Sequence, residues 1–522
     1  MRRHFGNQAS NRRWFWAAVL IALAPMRATA GPPQDSNPTG SHSLIGLYDR
    51  MEAGAGLPSS AGIIRRAGGE PAPRDAAVER SQVDEDRASS EAEPGGPGLP
   101  GTIPDPITGE PTLDVALPRA EAVEGPGPAF LQELLGLEEL PFTFRGWFQN
   151  SFSGNPADPP DRINFGEFPN YQANQWQGNQ YYLIVERIAR QEGRADLGFR
   201  VDGFLGNDWI FTKSYGFADE AFDVGQFSGI DIPQFFAELH LPLFTDRGLD
   251  IRGGRWYSPA GFEAVQAIER PLFSVTNLMT FTPFTFFGVL GIQHLDERTD
   301  VYLGAVNGWD RFLNANYVWN TLAGLTRESA DGRTRLSAFT VVGPNQLPFF
   351  PSANSTFLPV GVRTSPEVAG LTNFGYSRSN RFYASFVLTR EWSDRLTQAM
   401  EVAWVVDENT PLMRGPGSRQ TGARNTRQDT EWYGFGNWFL YEIDPKLTAV
   451  WRSEIFRDDD GIIFGTTSDT YYEMTLGLIC KPRLWFWVRP EVRFDWSQTG
   501  TPYDDGRSGS QVTLNVDAIL LY

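Results

Sequence analysis

The sequence predicts an all-β fold, a single closed antiparallel transmembrane β-barrel of about 16 strands (roughly 14–18) preceded by a disordered linker. Three observations support this prediction: an aromatic-rich composition, long segments in which apolar and polar residues alternate, and a regular succession of short and long connections. The chain contains 16 Trp, 16 Tyr, 38 Phe and 53 Gly among its 522 residues. No apolar run reaches the ~18 residues of a membrane-spanning helix, whereas alternating strands can cross a membrane at a mildly negative mean hydropathy.

The charge and the metal-binding residue types exclude several classes of protein. The net charge of −18 argues against nucleic-acid binding, because neutralising phosphates requires a basic surface. The single cysteine, Cys480, excludes an intramolecular disulfide and a thiolate zinc site. The histidines are scattered (His4, His42, His240, His294), so the sequence predicts no metal site and no cofactor.

Residues 1–30 have the three parts of an export signal. Arginines at positions 2, 3, 12 and 13 precede an apolar run at 14–26, and small residues follow at 28–30. This order predicts a secretory signal peptide that is cut after Ala30. Residues 11–15 leave a twin-arginine signal open as the less favoured alternative to an ordinary Sec signal.

Residues 31–128 differ in composition from the rest of the chain. They contain 15 Gly, 15 Pro and a single aromatic residue, with 16 acidic and 7 basic side chains. Such a segment buries too little apolar surface to offset its ordering entropy, so we expect a disordered periplasmic linker that acts as a spacer. Residues 129–140 have the pattern of one short amphipathic helix, but a fraying entry segment is the favoured interpretation.

Residues 141–522 contain the alternating segments that predict the barrel. The last segment is the clearest, because every second residue is apolar while the residues between them are mostly polar. Outer-membrane barrels commonly end on such a strand with a C-terminal aromatic residue, so we expect the barrel-assembly machinery to be a partner. The residues of this predicted assembly strand are Val512, Leu514, Val516, Ala518, Leu520 and Tyr522.

The lengths of the connections distinguish a membrane barrel from a soluble sandwich. Most connections that follow odd strands are long, such as 153–178 and 255–283, while those that follow even strands are short, such as 295–298. Outer-membrane barrels sort their turns and loops in this way, and an even strand number leaves both chain ends on the short-turn side. The predicted strands are 142–152, 179–190, 195–206, 235–241, 248–254, 284–294, 299–308, 318–327, 334–342, 380–390, 395–406, 431–442, 446–456, 470–480, 484–496 and 510–522.

Several large aromatic residues lie near predicted strand ends, where membrane interfaces favour amphipathic rings. Core packing is the alternative for any single ring, and the set as a whole favours an interfacial girdle. The members are Trp147, Trp209, Tyr257, Trp309, Trp319, Trp392 and Trp496.

The segments LDIRGGRWYSPAGFE, TPFTFFGVLG and GAVNGWDRF resemble the putative β-barrel porin type 2 family (OmpL-like). The resemblance extends over residues 141–522, and it implies a β-barrel porin in an outer membrane. The matching positions are Gly254, Arg255, Ser258, Pro259, Gly261, Phe262, Glu263, Pro283, Phe284, Thr285, Gly288, Asn307, Gly308, Trp309 and Asp310.

About 16 strands enclose an aqueous channel, so we expect an outer-membrane porin for passive diffusion of small hydrophilic solutes. The net charge of −11 over residues 141–522 predicts a weak cation preference. The alternatives are a non-conducting structural or receptor barrel and an exported soluble β-protein that binds carbohydrate. Analogy with other barrels of this size suggests a homotrimer in the lipid bilayer.

Charged residues with lumen-facing parity are the candidate pore-lining residues. Charges of both signs occur on neighbouring strands, which would produce a transverse electric field across the lumen. Alternatively, the charges form ion pairs that stabilise the wall. The candidates are Arg200, Asp202, Glu238, Asp250, Arg252, Arg381, Glu401, Arg452, Glu454, Arg489, Glu491, Arg493 and Asp495.

Two long loops have distinctive compositions. Loop 343–379 is rich in Pro and Phe and is the candidate constriction loop, with an extracellular lid as the equal alternative. Loop 407–430 carries several arginines, for which a solvated loop is favoured over contacts with anionic headgroups or solutes.

Enzymatic activity is not expected. His240 lies beside Glu238 with lumen parity, so an acid–base pair is conceivable, but the Gly-x-Ser-x-Gly motif is absent. The run 458–461, three aspartates and a glycine, is interpreted as a solvated turn rather than a Ca²⁺ loop. Cys480 has lipid-facing parity and is interpreted as a small hydrophobic residue.

Overall fold

The computed structural model describes residues 141–191, 193–214, 216–217, 228–313, 318–344, 380–411, 427–461, 463–464 and 468–522. The predicted signal peptide, linker and short helix therefore lie outside the described residues. So do residues 345–379 and 412–426, which form most of the two distinctive loops.

The described chain forms a closed barrel of 16 strands in which every neighbouring pair is antiparallel, as the sequence predicts. Each strand pairs with its neighbours in sequence, and β1 closes the barrel against β16. The strands are β1 (Thr143–Gly154), β2 (Gln175–Arg187), β3 (Asp196–Gly206), β4 (Gly229–Leu241), β5 (Leu249–Tyr257), β6 (Thr285–Asp296), β7 (Thr299–Val306), β8 (Asn320–Glu328), β9 (Thr334–Pro344), β10 (Asn380–Ser393), β11 (Leu396–Pro411), β12 (Arg427–Asp444), β13 (Leu447–Asp458), β14 (Asp469–Arg483), β15 (Phe486–Ser497) and β16 (Ser510–Leu521).

The helices of the described chain are short and lie in the connections. They are α1 (Trp209–Thr212), a 3₁₀ turn (Ala267–Glu269), α2 (Asn277–Thr280) and α3 (Tyr503–Gly506). None of them has the length and apolar character needed to span a membrane.

The two rims of the barrel differ in the length of their connections. On the rim that we call the short-turn rim, consecutive strands are joined by 2 to 8 residues, whereas the opposite, long-loop rim has connections of 10 to 35 residues. Both ends of the strand series lie on the short-turn rim, where the backbone of Tyr522 exchanges two hydrogen bonds with Gly146 (3.1 and 3.0 Å). Pairing of the first and last strands leaves no open edge, as a hydrocarbon environment requires.

The two faces of the barrel wall have opposite character. Outward side chains are apolar and exposed, for example Leu303, Leu476 and Leu514. Inward side chains of β16, such as Gln511 and Asp517, are polar and buried. An apolar outer face is what a lipid-exposed barrel needs, and it is incompatible with a soluble β-protein.

Some strands extend further toward the long-loop rim than the sequence predicts. Strand β4 begins at Gly229 rather than at residue 235. Pro233 lies in a β-bulge of β4, opposite the point on β3 between Asp202 and Phe204 where the register shifts. Proline cannot donate to a ladder, so the alternation pattern stops at it, whereas a bulge allows the strand to continue.

The predicted aromatic girdle is only partly correct. Trp319 and Trp392 are exposed, and Trp496 is half-buried and stacked on Tyr472. The other four rings are turned into the barrel or its connections, where they pack against inner residues. Those four are Trp147, Trp209, Tyr257 and Trp309.

Candidate functional site

Residues 258–284, which we call the inward segment, connect β5 to β6 and lie inside the barrel. The segment leaves the long-loop rim and is buried along most of its length; Leu272, Phe273 and Leu278 have no exposed surface. Glu263 and Thr276 are joined by hydrogen bonds of 2.8 Å, so residues 264–275 form an excursion whose two ends meet. A segment held in this position narrows the lumen.

Three carboxylates of the wall accept hydrogen bonds from backbone N–H groups of the inward segment. A segment without regular structure has unpaired amides, and burial makes unpaired amides costly. The wall supplies acceptors from β11, β13 and β15. Glu401 accepts from Phe262 (2.9 Å), Glu454 accepts from Asn277 and Leu278 (2.8 and 2.7 Å), and Glu491 accepts from Phe273 and Ser274 (3.0 and 3.1 Å).

Three wall arginines complement these carboxylates by donating to carbonyl oxygens of the same segment. The guanidinium fork suits this role, since it provides several donors in fixed directions. Arg452 donates to Ser274 (2.5 Å), Arg489 to Ala267 and Arg270 (2.9 and 2.6 Å), and Arg493 to Val275 (2.6 Å).

The opposite side of the inward segment is held by β2 and by the connection between β3 and β4. Gln180 donates to the Val265 carbonyl (2.7 Å) and accepts from the Ala267 amide (3.1 Å). Arg270 pairs with Asp208 at 3.3 Å, and burial raises the pKa of the Asp208 carboxyl. The segment is therefore anchored on two sides of the lumen.

The candidate pore-lining residues all lie on the inner face of the wall, but their contacts are mostly with one another or with the inward segment. Besides the three carboxylates described above, the charged candidates form ion pairs. Arg200 pairs with Asp202 (2.7 Å), Arg252 with Glu238 (2.6 Å), Arg381 with Asp407 (2.6 Å), Arg452 with Glu263 and Glu473 (2.9 and 3.1 Å), Arg489 with Asp517 (2.5 Å), and Arg493 with Asp495 (2.7 Å).

Asp250, the remaining candidate, belongs to a histidine–aspartate chain at the short-turn rim. It contacts Nδ1 of His240 at 2.5 Å and Nε2 of His294 at 2.9 Å, and Nδ1 of His294 contacts Asp300 at 2.7 Å. The conceivable pair of His240 with Glu238 is wrong, because Glu238 bonds Arg252 instead. Since both ring nitrogens of His294 face carboxylates, this arrangement favours an imidazolium that ties β5 to β7.

The inner wall is asymmetric. Inward residues of β6 to β10 are mainly apolar and pack together with Leu278 of the inward segment, whereas the charged candidates concentrate on the other strands. The apolar members include Phe286, Leu290, Leu322, Phe339 and Val341.

The residues of the three motif segments lie in the inward segment and in the strands and connection next to it. Gly254 has φ +137°, and a Cβ there would lie 2.3 Å from the Phe235 carbonyl oxygen, so the close strand approach requires glycine. Asp310 accepts from the amides of Phe284 and Thr285 (3.1 and 2.8 Å), which joins the second and third motif elements where β6 begins.

Loop 343–379, the candidate constriction loop of the sequence analysis, lies mainly outside the described residues. In the described chain, the 27-residue connection between β5 and β6 lies in the lumen. The sequence contains a signal for this position. Residues 258–284 are rich in apolar side chains but lack the alternation of a strand, and a loop exposed to water would not favour that composition.

The aspartates of the 458–461 run accept hydrogen bonds from their own loop and from the neighbouring strand β12. Asp458 accepts from the amides of Ile463 and Phe464 (2.9 and 3.2 Å), and Asp460 accepts from Glu431 (2.9 Å). No group of three or more potential metal ligands occurs among the described residues.

Comparison with solved structures gives similar barrels at low sequence identity. The outer membrane channel DcaP of Acinetobacter baumannii is 14% identical, with a TM-score of 0.46 and coverage of 73% of this chain and 97% of that chain. An anion-selective porin from Comamonas acidovorans is 8% identical (TM-score 0.48, coverage 73% and 99%). OprB of Pseudomonas putida is 11% identical (TM-score 0.47, coverage 77% and 100%).

No curated protein matches the chain in sequence. The sequence profile of the family described as "Putative beta-barrel porin-2, OmpL-like" matches residues 141–522, the whole of the barrel. The chain therefore belongs to this outer-membrane porin family.

Proposed function

We propose that this protein is an outer-membrane porin that lets small hydrophilic solutes cross by passive diffusion, without turnover and without a cofactor. The observation that supports it best is the inward segment, which is anchored across a closed barrel of 16 strands. A barrel with a purely structural role needs no narrowed lumen, whereas a diffusion channel uses one to set the size of its solutes.

Reconstitution of the purified full-length protein in a planar lipid bilayer tests this proposal. We expect stepwise increases in current as single barrels insert, and liposome swelling with small uncharged sugars. A protein that migrates as a heat-modifiable folded barrel yet produces neither steps nor swelling would contradict the proposal. That outcome would favour the non-conducting structural or receptor barrel.

The weak cation preference belongs to this proposal and rests on the net charge of −11 over residues 141–522. The preference is weak because the lumen carboxylates accept hydrogen bonds from arginines or from backbone amides. These contacts reduce the net electrostatic field that the carboxylates produce in the lumen. Reversal potentials in a KCl gradient measure it, and clear anion selectivity would contradict it.

The assembly of the protein is also part of the proposal. A homotrimer, inserted by the barrel-assembly machinery through the β16 strand, is the arrangement we expect. Cross-linking and mass measurement of the detergent-solubilised protein distinguish a trimer from a monomer.

A further inference from the structure

Buried apolar clusters surround the inward segment. In the part of the chain that the structure describes, five such clusters occur, and four of them contain residues of this segment. The largest joins Leu278 to buried residues of ten consecutive strands, β5 to β14, while Ala267 belongs to a cluster with Trp147 and Tyr182 of β1 and β2. Side chains that line a water-filled channel are exposed to water, whereas these fill the lumen like the core of a soluble domain.

The inner face of the wall is also dry at strands that supply none of the charged groups holding the segment. Val306 of β7, Leu322 of β8 and Tyr383 of β10 have no exposed surface. The cavity beside Trp309 and Tyr383 has a volume of about 10 Å³, which is room for about one water molecule. On this side of the lumen, the described residues therefore leave no room for a hydrated solute while the segment is docked.

The wall has glycine where two leucines of the inward segment rest. A Cβ on Gly477 of β14 would lie 2.5 Å from Cδ2 of Leu272, and a Cβ on Gly434 of β12 would lie 2.8 Å from Cδ2 of Leu278. Carbon atoms in contact are about 3.5–4.0 Å apart, so a larger residue at either position would displace the leucine. We call Gly434 and Gly477 the glycine seats, because they leave recesses that the two leucines fill.

The inward segment can leave its position without opening the barrel. It belongs to none of the 16 strands, so the ladders that close the wall do not depend on it. Residues 264–275 can move as one piece, since the bond between Glu263 and Thr276 joins their two ends. Undocking would expose Leu272 and Trp438, which are now buried in one cluster, and this apolar exposure favours the docked state at rest.

We propose that the inward segment is a gate. Docked in the glycine seats, it closes the lumen to hydrated solutes, and solutes pass only when residues 264–275 have left the seats. Its role in transport rests on the proposed porin function, but the movement of the segment does not. A gate of this kind gives two levels of single-channel current, a low level for the docked state and a high level for the undocked state.

The variant Ala267→Cys, in a Cys480→Ala background, reports the movement independently of current. Ala267 lies within residues 264–275 and has no exposed surface, so a thiol there is protected while the segment is docked. A charged methanethiosulfonate reagent, added to the detergent-solubilised full-length protein, modifies the thiol only after undocking. We expect complete modification that is roughly a hundredfold slower than that of Ala330→Cys, whose side chain lies in an exposed turn.

Two substitutions should shift the segment toward the undocked state. Gly477→Leu fills a seat from the wall, and Leu272→Ser removes the side chain that occupies this seat. Each should speed modification of the Ala267→Cys thiol about tenfold or more and lengthen the time at the high current level, because the apolar contact is lost. Gly253→Leu is the matched control, since a Cβ on Gly253 meets no atom within 4 Å. Heat-modifiable gel migration confirms that each variant is folded.

The outcomes separate the gate from the porin proposal. Steady current through barrels whose Ala267→Cys thiol stays protected would overturn the gate and leave the porin, because ions would then pass beside a docked segment. A thiol that reacts as fast as that of Ala330→Cys, or at a rate that neither seat variant changes, would also overturn the gate. Faster modification in both seat variants of a barrel without current would support the movement of the segment and contradict the porin.

Discussion

Glu454 illustrates how single side chains position the inward segment. Its two carboxylate oxygens accept three hydrogen bonds, from the amides of Asn277 and Leu278 and from the side chain of Asn277. The residue has lumen-facing parity in the sequence, but parity alone does not distinguish an open channel from a buried contact. Its role follows from its partners, which lie 177 and 176 residues away along the chain.

Glu454→Gln should destabilise the protein by about 1–3 kcal/mol, because the amide nitrogen of glutamine cannot accept from a buried N–H group. Thermal unfolding of the purified barrel, followed by circular dichroism, measures the change. Glu297→Gln is the matched control, since Glu297 is exposed at a short turn. Equal stability of the Glu454 and Glu297 variants would contradict the anchoring role.

At the scale of the element, the inward segment behaves as one unit because its ends are joined. The bond between Glu263 and Thr276 closes the excursion of residues 264–275, so removal of those residues leaves both ends in place. The wall residues Arg489 and Arg493 would then face water instead of carbonyl groups, which arginine tolerates because it remains charged and hydrated.

Replacement of residues 264–275 by a short Gly-Ser linker should increase the single-channel conductance several-fold, because the lumen loses the chain that narrows it. Insertion of the same linker into the exposed turn at Asp331 is the control and should leave the conductance unchanged. An unchanged conductance in the replacement variant would show that another part of the chain restricts the current.

Which elements could be predicted from sequence depends on how local their determinants are. The strands were predictable because alternation and turn residues are local signals. Several boundaries differ from the predicted ones by a few residues, for example at the bulge near Pro233 and at the end of β5. The inward segment was not predicted because its partners, for example Glu491 with Phe273, are 218 residues apart. Likewise, its position in the sequence placed Trp147 near a strand end but could not show that its ring stacks on Tyr182 inside the barrel.

At the scale of the whole molecule, the barrel depends on closure between β1 and β16. The C-terminal Tyr522 contributes two backbone hydrogen bonds to Gly146, a bond from its hydroxyl to the Tyr182 carbonyl (2.8 Å), and a ring contact with Phe148 at 4.9 Å. One terminal residue therefore joins three strands.

Tyr522→Ala should lower the yield of folded barrel during refolding into lipid vesicles, because it loses both the hydroxyl bond and the ring contact. Tyr522→Phe keeps the ring and should cost only about 1 kcal/mol for one hydrogen bond. Heat-modifiable gel migration measures the folded fraction. If both variants refold like the wild-type protein, closure does not depend on this side chain.

The anchoring of the inward segment also has a consequence for the order of assembly. Residues 258–284 precede β11, β13 and β15 in the chain, yet many of the acceptors and donors that hold the segment come from those strands. Contacts between residues so distant in sequence form late, after the intervening chain has been ordered. We therefore expect the segment to complete its docking only after β11, β13 and β15 have been ordered, so that the passage through the lumen is wider during assembly than in the finished barrel.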